Sequence, residues 1–208
     1  MLAVPTTVLG FYDLDAAPQR GITSVLAERL GAATRDPDFV DGALFVRSDH
    51  SAIAISLQHD SSDEAWLERP LVAGLMQGAG FRSRSSDVRS YRTVAAGTGA
   101  AIPDEAVFTI QRFDLAGATQ NSLTDALQNF VRDFAQPISG FLDSEILASQ
   151  DGARVIWIAP WGHEAALAAI ETPESFSAMR AFQQLWQQRA FATFDRVSYV
   201  RPESDANG

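Results

Sequence analysis

The chain has 208 residues, of which 46% are apolar, and a formal net charge of −10. An acidic chain repels phosphate backbones, and its 16 Lys and Arg are scattered singly, so no nucleic-acid partner is expected. Without cysteine, and with three widely spaced His, it is expected to form neither a disulfide nor a metal site. No apolar run approaches the roughly 18 residues that a bilayer span needs, so we expect a cytoplasmic protein with no membrane segment.

The first half predicts the element order β-α-β-β-α-β. Its strands are predicted where β-branched and aromatic residues cluster between turn residues, at Thr6–Leu14, Phe39–Arg47, Ala52–His59 and Ser86–Ala95. The first helix is predicted to begin at Pro18 and to end near Gly31, with an apolar face formed by Ile22, Val25, Leu26 and Leu30. A capping sequence at Ser61–Glu64 predicts the start of a second helix, which Pro70 is expected to bend or shorten.

The second half predicts the same order again. Gly97–Pro103, a small and uncharged stretch, is the predicted linker between the halves. The predicted strands that follow are Val107–Phe113, Phe141–Ala148, Arg154–Trp161 and Phe191–Arg201. The apolar face of the first helix is predicted from the spacing of Leu123, Leu127, Phe130 and Val131. A longer, interrupted helical region is predicted over Gly162–Ile170 and Pro173–Gln188.

The two halves also match residue by residue. Residues 38–66 align with residues 140–168 at a constant offset of 102 and without a gap. A second match, between Asp87–Tyr91 and Asp195–Tyr199, closes both copies. A period of about 100 residues is typical of a duplicated domain, because the repeats of solenoids span about 20–50 residues. We therefore predict a first half over 1–96, a linker over 97–103 and a second half over 104–208.

The strand Arg154–Trp161 is apolar on both of its faces. One face carries Ile156, Ile158 and Pro160, and the other carries Val155, Trp157, Ala159 and Trp161. An antiparallel sheet usually leaves one face to water, so a second layer must cover the face that its own helices do not. We predict an α+β fold in which two ferredoxin-like β-α-β-β-α-β halves pack sheet to sheet as an α+β barrel within one chain.

Aromatic residues at the ends of two equivalent strands indicate a binding site for a flat ligand. His59 and Trp161 are matched as the last residues of the third strand in each half. The residues that share their faces are Ile55 and Leu57 in the first half and Trp157 and Ala159 in the second. Core packing is an equally good explanation for Trp157 and Trp161, because aromatic side chains dominate protein cores. We nevertheless predict Trp66, Trp157, Trp161, Ile55 and Leu57 as substrate-binding residues.

Two histidines are the predicted bases. His163 lies at the expected start of a helix, where the positive end of the helix dipole favours a neutral imidazole. His59 has an equivalent place in the first half, and an ordinary His pKa near 6.5 suits proton abstraction at neutral pH. For either residue alone, a solvated or structural role is the more common one. No nucleophile elbow, Walker loop, GxGxxG or HExxH sequence is present.

The segment Pro137–Phe141, followed by a hairpin, an apolar strand ending in Trp161 and a helix that opens with charged residues, resembles the antibiotic biosynthesis monooxygenase family of dimeric α+β barrels. Pro37–Phe39 through Trp66 resembles it as well, so the likeness covers nearly the whole chain. A fused pair with unequal halves is most similar to the angucycline ring-opening oxygenases of jadomycin, gilvocarcin and kinamycin biosynthesis. Anthrone oxygenases of the family carry Asn four residues before the strand-end Trp, where this chain has Trp157 and Ile55.

This resemblance implies an oxygenase that acts on a planar aromatic polyketide, such as an anthrone or an angucyclinone-like quinol, with molecular oxygen as co-substrate. It implies no tightly bound cofactor, and the ring-opening likeness implies reduced flavin, FADH2 or FMNH2, supplied by a separate flavin reductase. The same fold also includes polyketide cyclases, and a duplicated half can become a ligand-binding protein without catalysis. Both alternatives stay open, as does assembly into a homodimer.

Overall fold

The computed structural model describes residues 5–14, 21–60, 66, 68–76, 83–97, 102–115 and 119–202. The strands in this part of the chain are β1 (Thr6–Leu14), β2 (Phe39–Arg47), β3 (Ala52–His59), β4 (Ser83–Ala95), β5 (Val107–Leu115), β6 (Glu145–Ser149), β7 (Arg154–Trp161) and β8 (Trp186–Val200). The α-helices are α1 (Ile22–Ala33), α2 (Pro70–Met76), α3 (Gln120–Phe130), α4 (Glu164–Ala168) and α5 (Pro173–Ala181). A π-helical turn, Val131–Ala135, continues α3, and a 3₁₀ turn, Gln183–Leu185, follows α5.

The chain divides into two compact units. Unit 1 contains residues 1–90 and 196–208, and unit 2 contains residues 91–195. These limits fall inside β4 and β8 and so differ from the predicted halves, 1–96 and 104–208. The end of β4 belongs to unit 2 because Tyr91–Ala95 pairs with β6. The residues after Asp195 belong to unit 1, where Tyr199 and Arg201 donate hydrogen bonds to Asp41.

Both units have antiparallel sheets built on the same plan. In unit 1, β3 pairs with β1 on one side and with β2 on the other. In unit 2, β7 pairs with β5 and with β6, and β5 also pairs with β8. The hydrogen-bonded strand order is cyclic, β1-β3-β2-β8-β5-β7-β6-β4, which is the order of an α+β barrel. The predicted fold class, α+β with two ferredoxin-like halves, is therefore confirmed.

Several predicted elements match in the first half, and other details differ: β4 begins at Ser83 instead of the predicted Ser86. Strands β1, β2 and β3 have the predicted bounds. The predicted start of the first helix at Pro18 and the capping sequence at Ser61–Glu64 lie outside the described residues. Val25 is 43% exposed, so its assignment to the buried face of α1 is wrong. Pro70, which is expected to bend or shorten its helix, does not bend α2 but is its first residue, where the missing N–H of proline needs no partner.

The second half differs from prediction near its turns. The predicted strand Phe141–Ala148 is shorter, because β6 begins at Glu145 and Phe141 forms only an isolated bridge to Trp161. The predicted helix Pro173–Gln188 is also too long, because α5 ends at Ala181. Strand β8 begins at Trp186, well before the predicted Phe191, since Trp186 pairs with Leu115 at the end of β5. The Trp186 ring also contacts the edge of Phe113 at 5.2 Å.

Strand β7 lies at the centre of unit 2. All eight of its residues are buried, so the prediction that both of its faces are covered is confirmed. One face, which includes Val155, Trp157 and Trp161, packs in the core with the buried side of α3, including Leu127. The core of unit 1 is built in the same way, with α1 and Trp66 against β3. Each unit therefore has its own core between a sheet and its helices.

Candidate functional site

Unit 2 contains a cavity of about 270 Å³ between its sheet and the region of α4 and α5. The apolar residues that line it are Phe130, Trp157, Trp161, Leu167, Ile170, Phe176, Met179 and Phe191. The polar residues that line it are Thr109, Gln111, Glu171, Ser175 and Arg189. A mostly apolar wall with a few placed polar groups is typical of a small-molecule site. We therefore take this cavity as the candidate functional site.

Two tryptophans form the back wall of this cavity. Trp157 and Trp161 are each only 1% exposed, and alternate positions of β7 place them on the same face of the sheet. Trp157 Nε1 donates to Ser144 Oγ at 3.2 Å, and Trp161 Nε1 donates to Thr109 Oγ1 at 3.1 Å. Since the protein satisfies both indole N–H groups, the rings offer a ligand an apolar surface only.

Two phenylalanines supply the accessible aromatic surface. Phe176, on α5, is 50% exposed, and Phe191, on β8, is 43% exposed, although both line the cavity. Phe191 pairs with Gln111 in the sheet and so lies beside the polar part of the wall. Large exposed aromatic side chains at a cavity are available to cover a flat ligand, because burying them removes apolar surface from water.

The principal polar contact in the cavity joins β5 to β8. Arg189 donates from Nε and from Nη2 to Gln111 Oε1, at 3.0 and 2.6 Å. The Arg189 guanidinium carbon also lies 5.9 Å from the ring centres of Phe113 and of Phe191. Although Arg189 is an exposed residue, desolvation by the surrounding atoms lowers its pKa, and the guanidinium remains protonated at neutral pH. The cavity therefore contains a fixed positive charge beside aromatic rings.

The other polar lining residues differ in how far the fold already uses them. Ser175 belongs to the capping box of α5: its Oγ accepts from the backbone N–H of Thr172, and its own backbone N–H donates to Thr172 Oγ1. Thr109 is used by Trp161 and by the carbonyl of Ala159. Glu171 is exposed and is the carboxylate among the lining residues. Thus Gln111, Glu171 and Arg189 are the polar side chains available to a ligand.

A second, wider groove of about 1050 Å³ also lies in unit 2. It follows α3 and the segment before β6, and its lining includes Asp125, Arg132 and Asp143. Phe141 is the aromatic residue in that lining. The groove therefore lacks the paired rings that a planar ligand needs, and the smaller cavity is the stronger candidate.

His163 lies at the N-terminus of α4 and not among the residues that line the cavity. Its Nδ1 accepts a hydrogen bond from the backbone N–H of Ala166 at 3.0 Å, so the side chain caps the helix. An accepting Nδ1 places the proton of the neutral imidazole on Nε2. With the proton on Nε2, the side chain has no lone pair available to accept another. Its role as a base stays a prediction.

The residues predicted in the first half lie in the core of unit 1. His59 is 5% exposed and stacks on Trp66, with ring centres 4.1 Å apart and planes inclined by 14°. Trp66, Ile55 and Leu57 belong to the same buried cluster, each at most 1% exposed. None of these four residues lines either of the two cavities. Their assignment to a site therefore stays a prediction.

The strand register explains why the two halves differ at this place. Trp157 pairs with Gln111, whereas the equivalent Ile55 pairs with Gly10. A Cβ atom on Gly10 would lie 2.7 Å from Tyr12 Oη, so the Tyr12 ring occupies the space that a side chain at this position would need. Tyr12 is buried, and its burial raises the pKa of its phenol. Where the second half has the polar side chain of Gln111, the first half therefore has the buried ring of Tyr12.

Sequence reasoning missed Thr109, Gln111, Phe176, Arg189 and Phe191. Thr109 and Gln111 share one face of β5 with the buried Phe113, and polar residues on such a face were an available signal. Arg189 lay between a predicted helix and a predicted strand, where no face could be assigned to it. Because β8 begins earlier than predicted, Arg189 lies within this strand, pairs with Phe113 and so belongs to a defined face of the sheet.

Neither a metal-binding cluster nor a membrane-spanning helix is present among the described residues. No three His, Asp or Glu side chains in this part of the chain are grouped as metal ligands would be. None of the helices described there is long and apolar enough to cross a bilayer.

No protein-family model matches the chain, and no curated protein sequence matches it. Solved structures match nearly its whole length. An anthrone oxidase-like protein has a TM-score of 0.73 at 14% identity, covering 97% of this chain and 94% of its own. A proposed monooxygenase from Fusobacterium nucleatum has a TM-score of 0.72 at 9% identity, covering 97% and 96%. A ferredoxin-fold protein from Listeria monocytogenes, related to antibiotic biosynthesis monooxygenases, has a TM-score of 0.54 at 9% identity, covering 94% and 96%.

These likenesses concern the fold, because every identity is low. The chain has the ferredoxin-like α+β fold of proteins related to antibiotic biosynthesis monooxygenases, as the sequence resemblance implied. One fold supports many functions, so an activity must be argued from the cavity and its residues.

Proposed function

We propose that the chain is an oxygenase that acts on a planar aromatic quinol of the polyketide type, bound in the cavity of unit 2. One observation carries the proposal: a small cavity is walled by Trp157 and Trp161 and bordered by the accessible rings of Phe176 and Phe191. Its volume of about 270 Å³ is close to the lower limit of about 300 Å³ for small-molecule pockets. It therefore suits one compact, flat ring system.

The proposed chemistry asks little of the protein beyond binding and orientation. An anthrone whose acidic proton has left is an electron-rich anion that can pass electrons to O2. Its ring methylene then becomes a carbonyl, with one oxygen atom entering the product and the other leaving as water. The substrate supplies all the electrons, so the atoms balance without a further reductant. The aromatic walls hold the ring plane and exclude water from it.

The ring-opening form of the proposal needs a second electron donor. Cleavage of a ring carbon–carbon bond with reduced flavin draws two electrons from FADH2 or FMNH2, which a separate flavin reductase would supply. The cavity suits one planar group at a time, and the isoalloxazine of a flavin is itself a three-ring system. The residues present therefore do not fit substrate and flavin together, and oxidation without flavin is the form that we favour.

Proton removal is the step for which the site offers the fewest groups. Among the lining residues, Glu171 and Arg189 are the ones that carry charge. Glu171 is exposed, so its carboxylate can take the substrate's proton and pass it on to water. Arg189 can stabilise the substrate anion that remains. His59 and His163 stay predicted bases whose roles must be tested by substitution.

A second candidate function is binding or cyclisation of an aromatic polyketide without oxygen chemistry. The observation that favours it is that neither predicted histidine base lines the cavity. An aromatic cavity with a positive charge is sufficient for binding, and ring closure needs the same surfaces. This alternative shares the ligand class but predicts no uptake of O2.

Oxygen consumption with dithranol, a dihydroxyanthrone, tests the proposal. We expect protein-dependent O2 uptake and anthraquinone formation in equal amounts, above the rate measured without protein. Phe176→Ala should slow the reaction by at least about 10-fold, because the loss of an aromatic cover is worth more than about 1.4 kcal/mol. Tyr199→Ala is the matched control, since Tyr199 is a 45% exposed aromatic residue of unit 1.

The same experiment with NADH, FMN and a flavin reductase tests the ring-opening form, using an angucyclinone as substrate. Uptake only under these conditions would replace the flavin-free form with the flavin-dependent one. Absence of uptake under both conditions, together with tight binding or ring closure, would establish the alternative and reject the oxygenase.

A further inference from the structure

The orientation of the Gln111 side-chain amide is determined by Arg189. A guanidinium has only donors, so the Gln111 atom that receives both Arg189 hydrogen bonds must be the carbonyl oxygen Oε1. The amide nitrogen Nε2 therefore points away from Arg189.

Among the described residues, the Gln111 amide nitrogen is a donor without an acceptor. Gln111 is only 5% exposed and lines the cavity. Within the described part of the chain, the side-chain hydrogen bonds of Gln111 are the two that Oε1 receives. Nε2 itself is accessible from the cavity rather than fully buried. A donor that lacks a protein acceptor and faces a cavity can donate to an oxygen atom on a ligand.

Arg189 likewise has no carboxylate partner among the described residues. Its hydrogen bonds are to an amide, and its other near neighbours are the rings of Phe113 and Phe191. Glu171 also lines the cavity but forms no ion pair with it in the described structure. Arg189 is an exposed residue, so its charge is open to solvent where it lines the cavity, and no carboxylate among the described residues neutralises it. Such a charge favours an anion.

We infer that Gln111 and Arg189 form an oxyanion subsite, so that the cavity binds a flat aromatic ligand through an ionised oxygen. Arg189 supplies the charge, and Gln111 positions Arg189 and donates from Nε2. The ligand class is a weakly acidic hydroxylated aromatic, bound as its phenolate or enolate. The inference rests on the aromatic cavity of the proposed function but does not depend on oxygen chemistry.

A subsite of this kind changes the acidity of its ligand. An opposite charge within about 4–6 Å lowers the pKa of an acidic group by about 1–3 units. Each unit corresponds to about 10-fold tighter binding of the anion than of the neutral form. Affinity should therefore rise with pH between the pKa of the bound ligand and that of the free ligand, and then level off. Glu171 is the other titratable group on the cavity wall, so its effect must be measured as well.

Alizarin, a dihydroxyanthraquinone whose colour reports its ionisation, is the probe. We expect its pKa, followed by absorbance, to fall by about 1–2 units when the protein binds it. An unchanged pKa, or no binding, would overturn the inference. Anthraquinone-2-carboxylate, titrated in parallel, separates the two sources of an anionic oxygen: tighter binding of the carboxylate than of the alizarin anion would contradict a phenolate or enolate subsite.

Variants assign the effect to the two residues. Gln111→Glu keeps the size of the side chain but pairs the charge of Arg189 with a carboxylate, so the pKa shift of alizarin should disappear. Arg189→Gln should abolish it too, and Arg189→Lys should restore part of it, because the charge returns without the two-pronged geometry. Arg180→Gln is the charge-matched control, since Arg180 lies on α5 and does not line the cavity.

The role of Glu171 and the folding of each variant need separate readouts. Glu171→Gln should lower the alizarin pKa further, because it removes a like charge from the ligand's surroundings. Thermal melts without ligand identify variants that fail to fold. If the Arg189 variants fail to fold, the isosteric Gln111→Glu still tests the inference. A lowered pKa without O2 uptake would reject the oxygenase but retain the subsite. O2 uptake with an unchanged alizarin pKa would reject the subsite but retain the oxygenase.

Discussion

At the scale of single residues, the two halves differ in matched pairs. Trp161 has the hydroxyl of Thr109 as acceptor for its indole N–H, 3.1 Å away. By strand register, Thr109 faces Ala159, whereas in the first half the equivalent Leu57 faces Val8, which cannot accept a hydrogen bond. The first half has His59 in place of the tryptophan, and its imidazole stacks on Trp66. The side chains at each strand end therefore suit the neighbours that each half provides.

His163 allows a residue-scale test that separates a capping role from a catalytic one. His163→Ala should lower the free energy of unfolding by about 1 kcal/mol, because the backbone N–H of Ala166 loses its side-chain acceptor and keeps only the carbonyl of His163. His163→Asn should restore that stability, since Asn is a good N-cap but not a base at neutral pH. We expect turnover of dithranol by the Asn variant to equal that of the wild type, because Nδ1 is already used.

Thermal or urea unfolding and initial rates of O2 uptake measure the two effects independently. If the Asn variant regains full stability while its turnover falls by about 100-fold, the magnitude typical of general-base catalysis, the base prediction is right and the capping role is secondary. Ser177→Ala, at an exposed position of α5, is a control for a small substitution in this region.

At the scale of elements, the sequence predicted the bounds of a strand or helix best where local residues alone determine them. The bounds of β1 and β7 agree with prediction because turn residues flank continuous apolar runs. The start of β8 could not be predicted, because Trp186–Ala190 has a composition that also suits a helix and extends only by pairing with β5. That error hid Arg189, whose side chain acquires its place in the cavity from the same pairing.

The helix α5 provides the element-scale prediction. Thr172 and Ser175 form a capping box at its start, and α5 carries Phe176 and Met179 of the cavity wall. Thr172→Ala should destabilise unit 2 by about 1 kcal/mol and weaken alizarin binding several-fold. The reason is that loss of the cap makes the first turn of α5, the helix that carries these side chains, less stable. Ser177→Ala is the matched control in the same helix, and it should leave both quantities unchanged. Equal effects of the two substitutions on binding would show that the cap does not position the wall.

At the scale of the whole molecule, duplication predicted the fold more completely than it predicted the site. Two copies of one element order indicated two ferredoxin-like halves, and the strand order agrees. The copies also directed attention to Trp157 and Trp161, which line the cavity. Gln111 could not be found in this way, because its significance comes from a contact with Arg189 on another strand. Contacts between strands distant in sequence are what a repeat alone does not specify.

The last prediction concerns how many ligands one chain binds. In unit 2 the polar wall of Gln111 and Arg189 borders a cavity, whereas the register-equivalent place in unit 1 has Gly10 covered by Tyr12. We therefore expect isothermal titration with alizarin to give one site per chain. Ligand binding should quench the fluorescence of the unit 2 tryptophans, so Trp66→Phe should retain the quenching amplitude and Trp157→Phe should lose a large part of it. Trp66 stacks on His59 in the core of unit 1, which makes Trp66→Phe the matched control for loss of a buried indole. Two equal sites per chain, or quenching that disappears with Trp66, would place a working pocket in the first half and return His59 to the site.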